Sequence, residues 1–402
     1  MNDLSLENCI GKTHLKKNLH SKDRVKLNKI IKSIYNNLDS KKNAFHFLSK
    51  NFFLDLNKHN LKKFIKYKTI VLIGMGGSIL GSRAIYSFLK KKIKKNLIFI
   101  DNLDQLKIEK IRKQKNIKKS LFIIISKSGN TIETLINSSL LKDKISYKNT
   151  IIITEKKNNL LNTFAKKKNI LLIPHRDYIG GRYSVLTEVG MIPAYLMGLN
   201  ITSFRKNLLS FFKSRKNLFL IESVIKLAHI YRSKKIKSII LLNYAPQLND
   251  FLSWCQQLIA ESLGKNGKGI LPVISPAPRD HHSLLQLYLD GPRDKLFYIF
   301  SLNIKKKMKI NNNFFGKSFS YIENKELSKV VLSQKKALTQ VLKKKQIPFR
   351  EFKISNINEE ILAELFAYFV LETALVGKSI GVNPFNQPAV EEVKILTKKY
   401  LS

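Results

Sequence analysis

Short apolar runs alternate with turns and helical stretches between residues 69 and 174, and this alternation constrains the fold more than any other feature of the sequence. The run TIVLIG ends in the turn MGGS, after which Leu80, Ala84, Ile85 and Phe88 follow a helical period. The runs LIFID, SLFIIIS, TIIIT and ILLIP continue the pattern, with helical stretches between them. Strands that alternate with helices in this way form a parallel, doubly wound sheet.

A second alternation follows in the C-terminal half. It contains the strand KSIILLNYA, a helix from about Asp250 to Ser262, the strand LFYIFSLNI and helices near residues 327–342 and 359–376. We therefore predict an α/β protein with two doubly wound parallel-sheet domains. The predicted parts are a helical N-terminal segment (1–65), a first α/β domain (66–205), a second α/β domain (206–355) and a helical C-terminal arm (356–402).

The composition indicates a globular protein of a reducing compartment. Apolar residues make up 44% of the 402 residues, which is enough to fill two cores. Cys9 and Cys255 are too few for a disulfide framework or a zinc cluster. No apolar run approaches the roughly 18 residues of a membrane span, and the N-terminus has no apolar signal core. We expect a cytoplasmic location and no membrane association.

The net charge of +45, from 73 Lys and Arg against 28 Asp and Glu, raises nucleic acid and anionic membranes as partners. The lysines, however, are spread along the whole chain in short runs such as 90–92 and 343–345. No zinc knuckle, basic tail or basic segment interleaved with aromatic residues accompanies them. A solvated basic surface without a specific nucleic-acid partner is therefore expected.

The first glycine-rich turn, from Gly74 to Gly81, follows a strand and opens a helix. Its amides are expected to face the crevice at the carboxyl ends of the strands, where anions bind. It is not a dinucleotide fingerprint, because the third glycine would fall on Ile79, nor a P-loop, because no Lys-Ser/Thr pair follows Gly81. Anion binding and simple close packing both stay open for these glycines.

The next turn, SKSGNT at residues 126–131, places hydroxyls and one ammonium between a buried strand and a helix N-terminus. Short hydroxyls together with unpaired amides form a cradle for a phosphate monoester. One helix cap would need only one hydroxyl. The surplus of hydroxyls therefore indicates ligand binding.

Two further residues are candidates for catalysis. Arg182 follows the Gly180-Gly181 turn, which lets the backbone approach a ligand while the guanidinium supplies fixed positive charge. Glu261 lies near the end of a predicted amphipathic helix, where a carboxylate on a rigid element could act as a base. A surface arginine and an exposed glutamate at a helix end are the structural alternatives.

The segment Asp280-His281-His282-Ser283 holds the only adjacent His pair in a chain with 8 His. Metal binding is the obvious rival, but no H-x-x-x-H motif, Cys partner or carboxylate at ligand spacing accompanies the pair. Acid–base work is therefore favoured over metal ligation.

Six motifs occur in the order GMGGSILG, SKSGNTIET, GGRYSVLTEVG, ESLGK, DHHSLLQLYLDGP and GVNPFNQPAVEEVK, and they extend from Gly74 to Lys394. Their order and separations resemble those of the glucose-6-phosphate isomerase family, especially its shorter bacterial forms. The resemblance implies a pair of sugar-isomerase (SIS) α/β domains, which agrees with the alternation of strands and helices. One departure is Asn386, which stands where the family commonly has Asp before Gln-Pro.

The resemblance also implies a role for each matching residue. The phosphate site would consist of Ser78, Ser126, Lys127, Ser128 and Thr131, and the substrate-binding loops would contain Gly76, Gly77 and Gly181. Glu261 would move a proton between C2 and C1 of the opened sugar, and Arg182 would stabilise charge on the enediol(ate). His282 and Lys394 would assist ring opening and proton transfer at O5. In this family the histidine comes from the neighbouring subunit, so a homodimer is expected.

The implied activity is the reversible isomerisation of glucose 6-phosphate and fructose 6-phosphate through a cis-enediol(ate), a step of glycolysis and gluconeogenesis that uses no metal or cofactor. Moving the hydrogen as a proton needs one carboxylate and no nicotinamide. A dual phosphoglucose/phosphomannose isomerase stays open, because the same base serves both epimers. A non-catalytic sugar-phosphate-sensing protein is the other alternative, against which Glu261 and the motif containing Lys394 speak.

Overall fold

The computed structural model describes residues 3–11, 20–303, 308–311 and 317–402. The elements form two α/β units, each built on a five-stranded sheet. No helix within these ranges combines the length and the apolar composition that crossing a lipid bilayer requires. Residues 12–19 of the predicted N-terminal segment, and residue 304 of the predicted strand LFYIFSLNI, lie outside the described residues.

The N-terminal segment begins with a strand. Strand β1 (Leu4–Cys9) is followed by helices α1 (His20–Asn36) and α2 (Lys58–Lys62). β1 pairs antiparallel with the edge of the second sheet, where Leu6 lies opposite Phe352. The prediction that residues 1–65 are helical is therefore wrong at β1, because this segment satisfies its backbone groups by extending a distant sheet.

The first unit contains a sheet of five parallel strands in the order β3-β2-β4-β5-β6. The strands are β2 (Thr69–Gly74), β3 (Asn96–Ile100), β4 (Leu121–Ile125), β5 (Thr150–Thr154) and β6 (Leu171–Pro174). The helices of this part of the chain are α3 (Leu80–Phe88), α4 (Gln105–Lys113), α5 (Ile132–Leu140), α6 (Leu160–Lys167), α7 (Glu188–Leu196) and α8 (Ile201–Arg205). All residues of β4 and β5 are buried, as expected for continuous apolar strands in a sheet covered on both faces.

The second unit has the strand order β1-β10-β9-β7-β8, in which every pair except β1 with β10 is parallel. Its strands are β7 (Ser238–Asn243), β8 (Leu271–Pro276), β9 (Lys295–Leu302) and β10 (Phe349–Ile354). Its helices are α9 (Ser214–Ser233), α10 (Asn249–Leu263), α11 (Asp280–Ser283), α12 (Leu285–Asp290) and α13 (Leu327–Lys344), and the chain closes with α14 (Glu359–Ile380) and α15 (Val390–Leu401). The predicted α/β fold with two parallel-sheet units is confirmed. The boundary at residues 205/206, which coincides with the end of α8, stays a proposal.

Helix α14 lies at the centre of the molecule. Almost all of its side chains are buried, and it packs against α9 and α10. Such a helix is apolar around its whole circumference, as is typical of a helix surrounded by protein. It ends at Gly381, whose φ of 72° reverses the chain. Helix α15 follows, and all of its residues are exposed.

Candidate active site

The turn between β4 and α5, which we call the hydroxyl turn (residues 126–131), brings three hydroxyls together. Thr131 Oγ1 lies 2.8 Å from Ser126 Oγ and 3.5 Å from Ser128 Oγ. The chain then enters α5, whose first amides have no partner within the helix and form the positive end of its dipole. Hydroxyls and free amides at a helix N-terminus are suited to bind a phosphate group.

The hydroxyl turn is held in its conformation by the start of α6. Gly129 has a φ of 69°, and a Cβ at this position would lie 1.9 Å from Asn159 Oδ1. The Gly129 amide donates to Ser126 Oγ at 3.2 Å, and the Leu161 amide donates to the Gly129 carbonyl at 3.2 Å. Only glycine has both the backbone freedom and the lack of a side chain that this packing requires.

Ser78 lies at the same edge of the sheet as the hydroxyl turn because β2 and β4 are neighbours. Gly74, the last residue of β2, pairs with Ile125, the last residue of β4. A Cβ on Gly74 would lie 3.1 Å from Ser78 Cβ and 3.0 Å from the Ile125 carbonyl oxygen. Ser78, in the 3₁₀ turn Gly76–Ser78, is therefore carried to the same strand end from which the hydroxyl turn starts.

Lys127 lies in the hydroxyl turn, but its ammonium has partners within the protein. Nζ donates to the Asp177 carbonyl at 2.7 Å and lies 3.6 Å from Glu155 Oε1. Burial lowers the pKa of Lys127, and the charge of Glu155 opposes this shift. Lys127 is predicted to bind phosphate, but its ammonium already contacts Asp177 and Glu155.

The glycine turn Gly76–Ser78 contacts the segment that carries Arg182. A Cβ on Gly77 would come within 2.3 Å of the Gly181 carbonyl carbon and 2.5 Å of the Arg182 nitrogen. Gly76 has a φ of 51°, and its Cβ would lie 2.6 Å from Gln257 Nε2. Gly76 and Gly77 therefore permit close approach of the two loops and α10, and Gly181 supplies the backbone that Gly77 approaches.

The Arg182 guanidinium is 3% exposed and is held by several acceptors. Nε donates to Ser262 Oγ at 2.8 Å and Nη1 to Gln387 Oε1 at 2.9 Å. Nη2 donates to the Pro384 carbonyl at 2.6 Å and to the Asn386 carbonyl at 3.2 Å. Since Asn386 contributes its backbone oxygen, an Asp at this position could make the same contact.

Glu261 places its carboxylate beside this guanidinium. Its Oε2 lies 3.5 Å from Arg182 Nη1 and accepts a hydrogen bond from Gln257 Nε2 at 3.2 Å. The side chain is 28% exposed, whereas that of Arg182 is 2% exposed. Gln257 also borders Gly76, so the residue that holds the Glu261 carboxylate lies beside the glycine turn Gly76–Ser78.

The sequence analysis did not propose Lys265 as a site residue, although it lies only four positions after Glu261. Its ammonium donates to the Asn383 carbonyl at 2.6 Å and to the Ser262 carbonyl at 3.0 Å. Burial lowers the pKa of Lys265 to about 8, and the charge of Arg182 adds to this shift. Lys265 thereby fastens the loop after α14 to the end of α10.

The two histidines of the adjacent pair have different surroundings. His281 Nε2 lies 2.6 Å from the hydroxyl of the buried Tyr244, and burial lowers the pKa of His281. His282 is exposed at the surface of the short helix α11. The histidine that is open to solvent is therefore the one singled out for catalysis, and it lies on the surface of the protomer.

Lys394 lies on α15 and is also exposed. Its ammonium pairs with Glu391 Oε1 at 2.7 Å, one helical turn earlier. Gln387, which contacts Arg182, precedes Lys394 by seven residues. The backbone between these two residues, three extended and four helical residues, spans about 16 Å at most. Within the described chain, Glu261 contacts Arg182 and the hydroxyls of the hydroxyl turn contact one another, whereas His282 and Lys394 are exposed.

Gln257 and Gln387 are site residues that the sequence reasoning missed. Gln257 precedes Glu261 by one helical turn, so the (i, i+4) spacing within α10 was a usable signal that both face the same side. Gln387 carries no such local signal. Its place beside Arg182 depends on a contact between residues 205 positions apart.

The described residues offer no ready-made metal centre. In the ranges that the structure describes, no group of three or more His, Cys, Asp or Glu side chains is placed to hold a metal ion. The chemistry that this site supports is that of a carboxylate, a guanidinium and a set of hydroxyl and amide donors.

Several known proteins have sequences similar to this one. The family model for phosphoglucose isomerase matches residues 7–402. The glucose-6-phosphate isomerase of Methanocaldococcus jannaschii is 34% identical over 352 residues, which cover 85% of this chain and 86% of that protein. The glucose-6-phosphate isomerase of Campylobacter jejuni is 29% identical over 347 residues, with 83% and 86% covered.

Solved structures show the same fold at lower identity. A hypothetical protein from Thermus thermophilus superposes with a TM-score of 0.83 at 22% identity, covering 99% of this chain and all of that one. A glucose-6-phosphate isomerase from Chlamydia trachomatis superposes with a TM-score of 0.79 at 16% identity, covering 100% of this chain and 89% of that one. With a family model that spans nearly the whole sequence, the chain belongs to the phosphoglucose isomerase family.

Proposed function

We propose that the protein interconverts glucose 6-phosphate and fructose 6-phosphate by proton transfer between C2 and C1. The observation that carries this proposal is the Glu261 carboxylate, which lies 3.5 Å from the buried Arg182 guanidinium. The Arg182 backbone lies beside Gly77, and Gln257, which holds Glu261, lies beside Gly76. This glycine turn follows β2, the neighbour of β4, from which the hydroxyl turn starts. A base, a fixed positive charge and a phosphate cradle are the three parts that this reaction needs.

The phosphate of the substrate is proposed to bind in the cradle. The hydroxyls of Ser78, Ser126, Ser128 and Thr131 and the amides of the hydroxyl turn, that of Lys127 included, would donate to its oxygens. Binding energy gained at this remote group then orients the reacting carbons over the base.

Glu261 is proposed to remove the proton from C2 of the open-chain aldose and to return it to C1. The carboxylate is partly open to solvent and is held in place by Gln257, so it is both accessible and oriented. The C2 proton passes to the carboxylate, the C2–H electron pair forms the C1–C2 double bond, and the carbonyl pair moves to O1, which takes up a proton to give the cis-enediol(ate). Loss of the O2 proton then forms the C2 carbonyl while the C1–C2 pair takes the proton back at C1, which gives the ketose.

Arg182 is proposed to stabilise the negative charge that develops on the enediol(ate). Burial and four acceptor contacts fix the guanidinium before substrate binds. A preorganised charge of this kind stabilises the transition state without a cost of reorganisation.

His282 and Lys394 are proposed to assist ring opening and proton transfer at O5. Both are exposed on the protomer, and helix α15 carries apolar side chains that are open to solvent, among them Val393 (66% exposed) and Tyr400 (82% exposed). Exposed apolar helix faces are typical of surfaces that another chain covers. We therefore propose a homodimer in which His282 completes the site of the partner subunit, working in the cytoplasm in glycolysis and gluconeogenesis.

The proposal is tested by a coupled assay on the purified full-length chain. Fructose 6-phosphate is supplied, and formation of glucose 6-phosphate is followed with an NADP-dependent glucose-6-phosphate dehydrogenase. We expect turnover, with mannose 6-phosphate in a parallel assay defining the substrate range. A folded protein that converts neither fructose 6-phosphate nor glucose 6-phosphate would contradict the proposal.

A further inference from the structure

The ammonium of Lys127 connects two segments that are distant in sequence. It starts in the hydroxyl turn and reaches the Asp177 carbonyl at 2.7 Å, 50 residues further along the chain. Asp177 lies between the end of β6 and the turn that presents Arg182. Lys127 therefore joins the proposed phosphate site to the segment that carries the proposed enediol(ate) ligand.

Glu155 holds Lys127 from the other side. Its carboxylate is 3.6 Å from Lys127 Nζ and also pairs with Lys157. Its amide donates to the Lys127 carbonyl at 3.2 Å, and Thr154 Oγ1 donates to the same carbonyl at 3.3 Å. Both the backbone and the side chain of Lys127 are thus fixed to the end of β5.

The charge of this cluster is largely balanced within the protein. Glu155 is 6% exposed, and the side chain of Lys127 is 29% exposed. Separating a largely buried carboxylate from its partners leaves an uncompensated charge, which is costly. The stable position of the ammonium is therefore between Glu155 and Asp177, and the hydroxyls and amides of the turn remain as the donors for a phosphate.

We propose that Lys127 and Glu155 are positioning residues that hold the hydroxyl turn against the Arg182 segment, and that the Lys127 ammonium is not the counter-charge of the bound phosphate. This inference rests on the proposed function, because it assigns the hydroxyl turn to the phosphate group. Its consequence is that the spacing between the phosphate and the reacting carbons depends on Glu155, a residue that touches neither.

Two variants separate this account from one in which Lys127 binds phosphate directly. The variants are Lys127→Met and Glu155→Gln. The measurements are kcat and KM for fructose 6-phosphate and the Kd of inorganic phosphate by calorimetry. Inorganic phosphate would contact only the proposed cradle of Ser78 and the hydroxyl turn, whereas the sugar phosphate must reach both the cradle and Arg182.

We expect both variants to lower kcat by about 10²-fold, the effect of a displacement of about 1 Å at a reacting centre. The double variant should be no slower than the slower single variant, because both substitutions break the same connection. The Kd of inorganic phosphate should change by less than about threefold, since no donor of the turn is removed.

Direct phosphate binding by the ammonium instead predicts that the Kd of inorganic phosphate changes in both variants. Removing a neighbouring negative charge would free the ammonium and tighten phosphate binding, while Lys127→Met would weaken it by about tenfold to 100-fold. Either of these two results overturns the inference. Because the phosphate Kd is measured without turnover, it remains decisive even if the protein proves to have another substrate and the proposed function fails.

A matched control is available at Glu351. This residue is 5% exposed and lies 3.0 Å from both Lys335 and Lys353, on β10 of the second sheet. Glu351→Gln removes an equally buried carboxylate flanked by two lysines, so it should lower the melting temperature as Glu155→Gln does and leave kcat unchanged. A loss of kcat in Glu351→Gln equal to that in Glu155→Gln would assign the effect to general destabilisation and overturn the inference. If Glu155→Gln does not fold, the phosphate Kd of Lys127→Met decides the question alone.

Discussion

Arg182 illustrates how the protein can fix the position of one charged side chain by its own hydrogen bonds. Its guanidinium binds a hydroxyl, a side-chain amide and two backbone carbonyls, and it still faces Glu261 at 3.5 Å. A lysine ammonium could not reproduce this planar arrangement of donors. The buried charge is therefore fixed in direction as well as in position.

We expect Arg182→Lys to lower kcat by about 10²-fold to 10³-fold, as loss of one preorganised donor to a developing oxyanion does. Steady-state kinetics with fructose 6-phosphate measure this effect, and the Kd of inorganic phosphate serves as the control because the hydroxyl turn is untouched. A variant that keeps wild-type kcat would show that the guanidinium does not act on the transition state.

His175 should make stability depend on pH. It is 4% exposed, and burial lowers its pKa to about 4, whereas the unfolded chain has an ordinary value of about 6.5. Its Nδ1 faces the Arg176 carbonyl at 2.9 Å, and its Nε2 has no hydrogen-bond partner among the residues described. Between these two pKa values the unfolded state binds a proton that the folded state does not.

The free energy of unfolding should therefore fall as the pH drops from about 6.5 to about 4, by an amount on the order of 3 kcal/mol from this residue. His175→Asn keeps a donor for the Arg176 carbonyl and removes the titration, so its profile should be flatter over this range. Urea unfolding of both proteins at several pH values measures the difference. Parallel profiles would contradict the assignment.

At the residue scale, sequence reasoning could place the candidate groups whose positions depend only on neighbouring residues in the chain. The hydroxyls of residues 126–131 and the carboxylate of Glu261 lie on the elements that their own neighbours predict. Gln387 and the partners of Lys127 could not be found in this way, because their positions depend on contacts across 205 and 50 residues.

At the scale of elements, a buried ion pair ties β1, α9 and α14 to β10. Arg350, which is 0% exposed, binds both oxygens of Glu372 at 3.0 and 2.7 Å. It also donates to Asn8 Oδ1 at 2.7 Å and to Ser223 Oγ at 3.2 Å. Four elements that contribute to the second sheet and its covering layer thus meet at one guanidinium.

Glu372→Gln should destabilise the fold by about 3–5 kcal/mol, because it leaves the buried Arg350 charge without its partner. Glu222→Gln is the control, since its carboxylate is 52% exposed and pairs with Lys226 one turn away; we expect a change of about 0.5 kcal/mol or less there. Denaturant unfolding of both variants gives the comparison. Equal and small effects would show that the buried pair contributes little.

The strands differ in how well their own sequences predict them. The continuous apolar runs of β2, β4, β5 and β7 indicate parallel strands buried on both faces. Strand β10 has the sequence FREFKI, whose charges are satisfied only by distant partners, and β8 (LPVISP) contains two prolines, which suit an edge strand. Strand β1 is polar on one face and gains its place only by pairing with β10.

At the scale of the whole molecule, His282 and Lys394 both lie on the exposed surface of the chain. The resemblance implies catalytic roles for both residues, and these roles stay predictions, as does the contribution of His282 to a partner subunit. Six ordered motifs were enough to predict the family, whereas the arrangement of subunits depends on surfaces that have no signature of their own.

Hybrid dimers test the proposed exchange of His282. Glu261→Gln and His282→Ala should each be inactive as pure proteins. If His282 acts in the partner's site, each mixed dimer contains one site with both wild-type residues and one with neither. Co-expression with random pairing should then restore about one quarter of wild-type activity, because half of the dimers are mixed and each has one working site. Activity no higher than that of the two pure variants would place both residues in the same protomer's site.

The central claim is that the Glu261 carboxylate carries the hydrogen between two neighbouring carbons of the sugar. Its most direct measurement is deuterium uptake at C2 of glucose 6-phosphate in D₂O, followed by NMR for the wild-type protein and for Glu261→Gln. We predict uptake with the wild-type protein and a rate at least about 10²-fold lower with the variant, while the Kd of 6-phosphogluconate stays within about threefold because the hydroxyl turn is intact. A folded variant that exchanges C2 hydrogen as fast as the wild-type protein would contradict the claim.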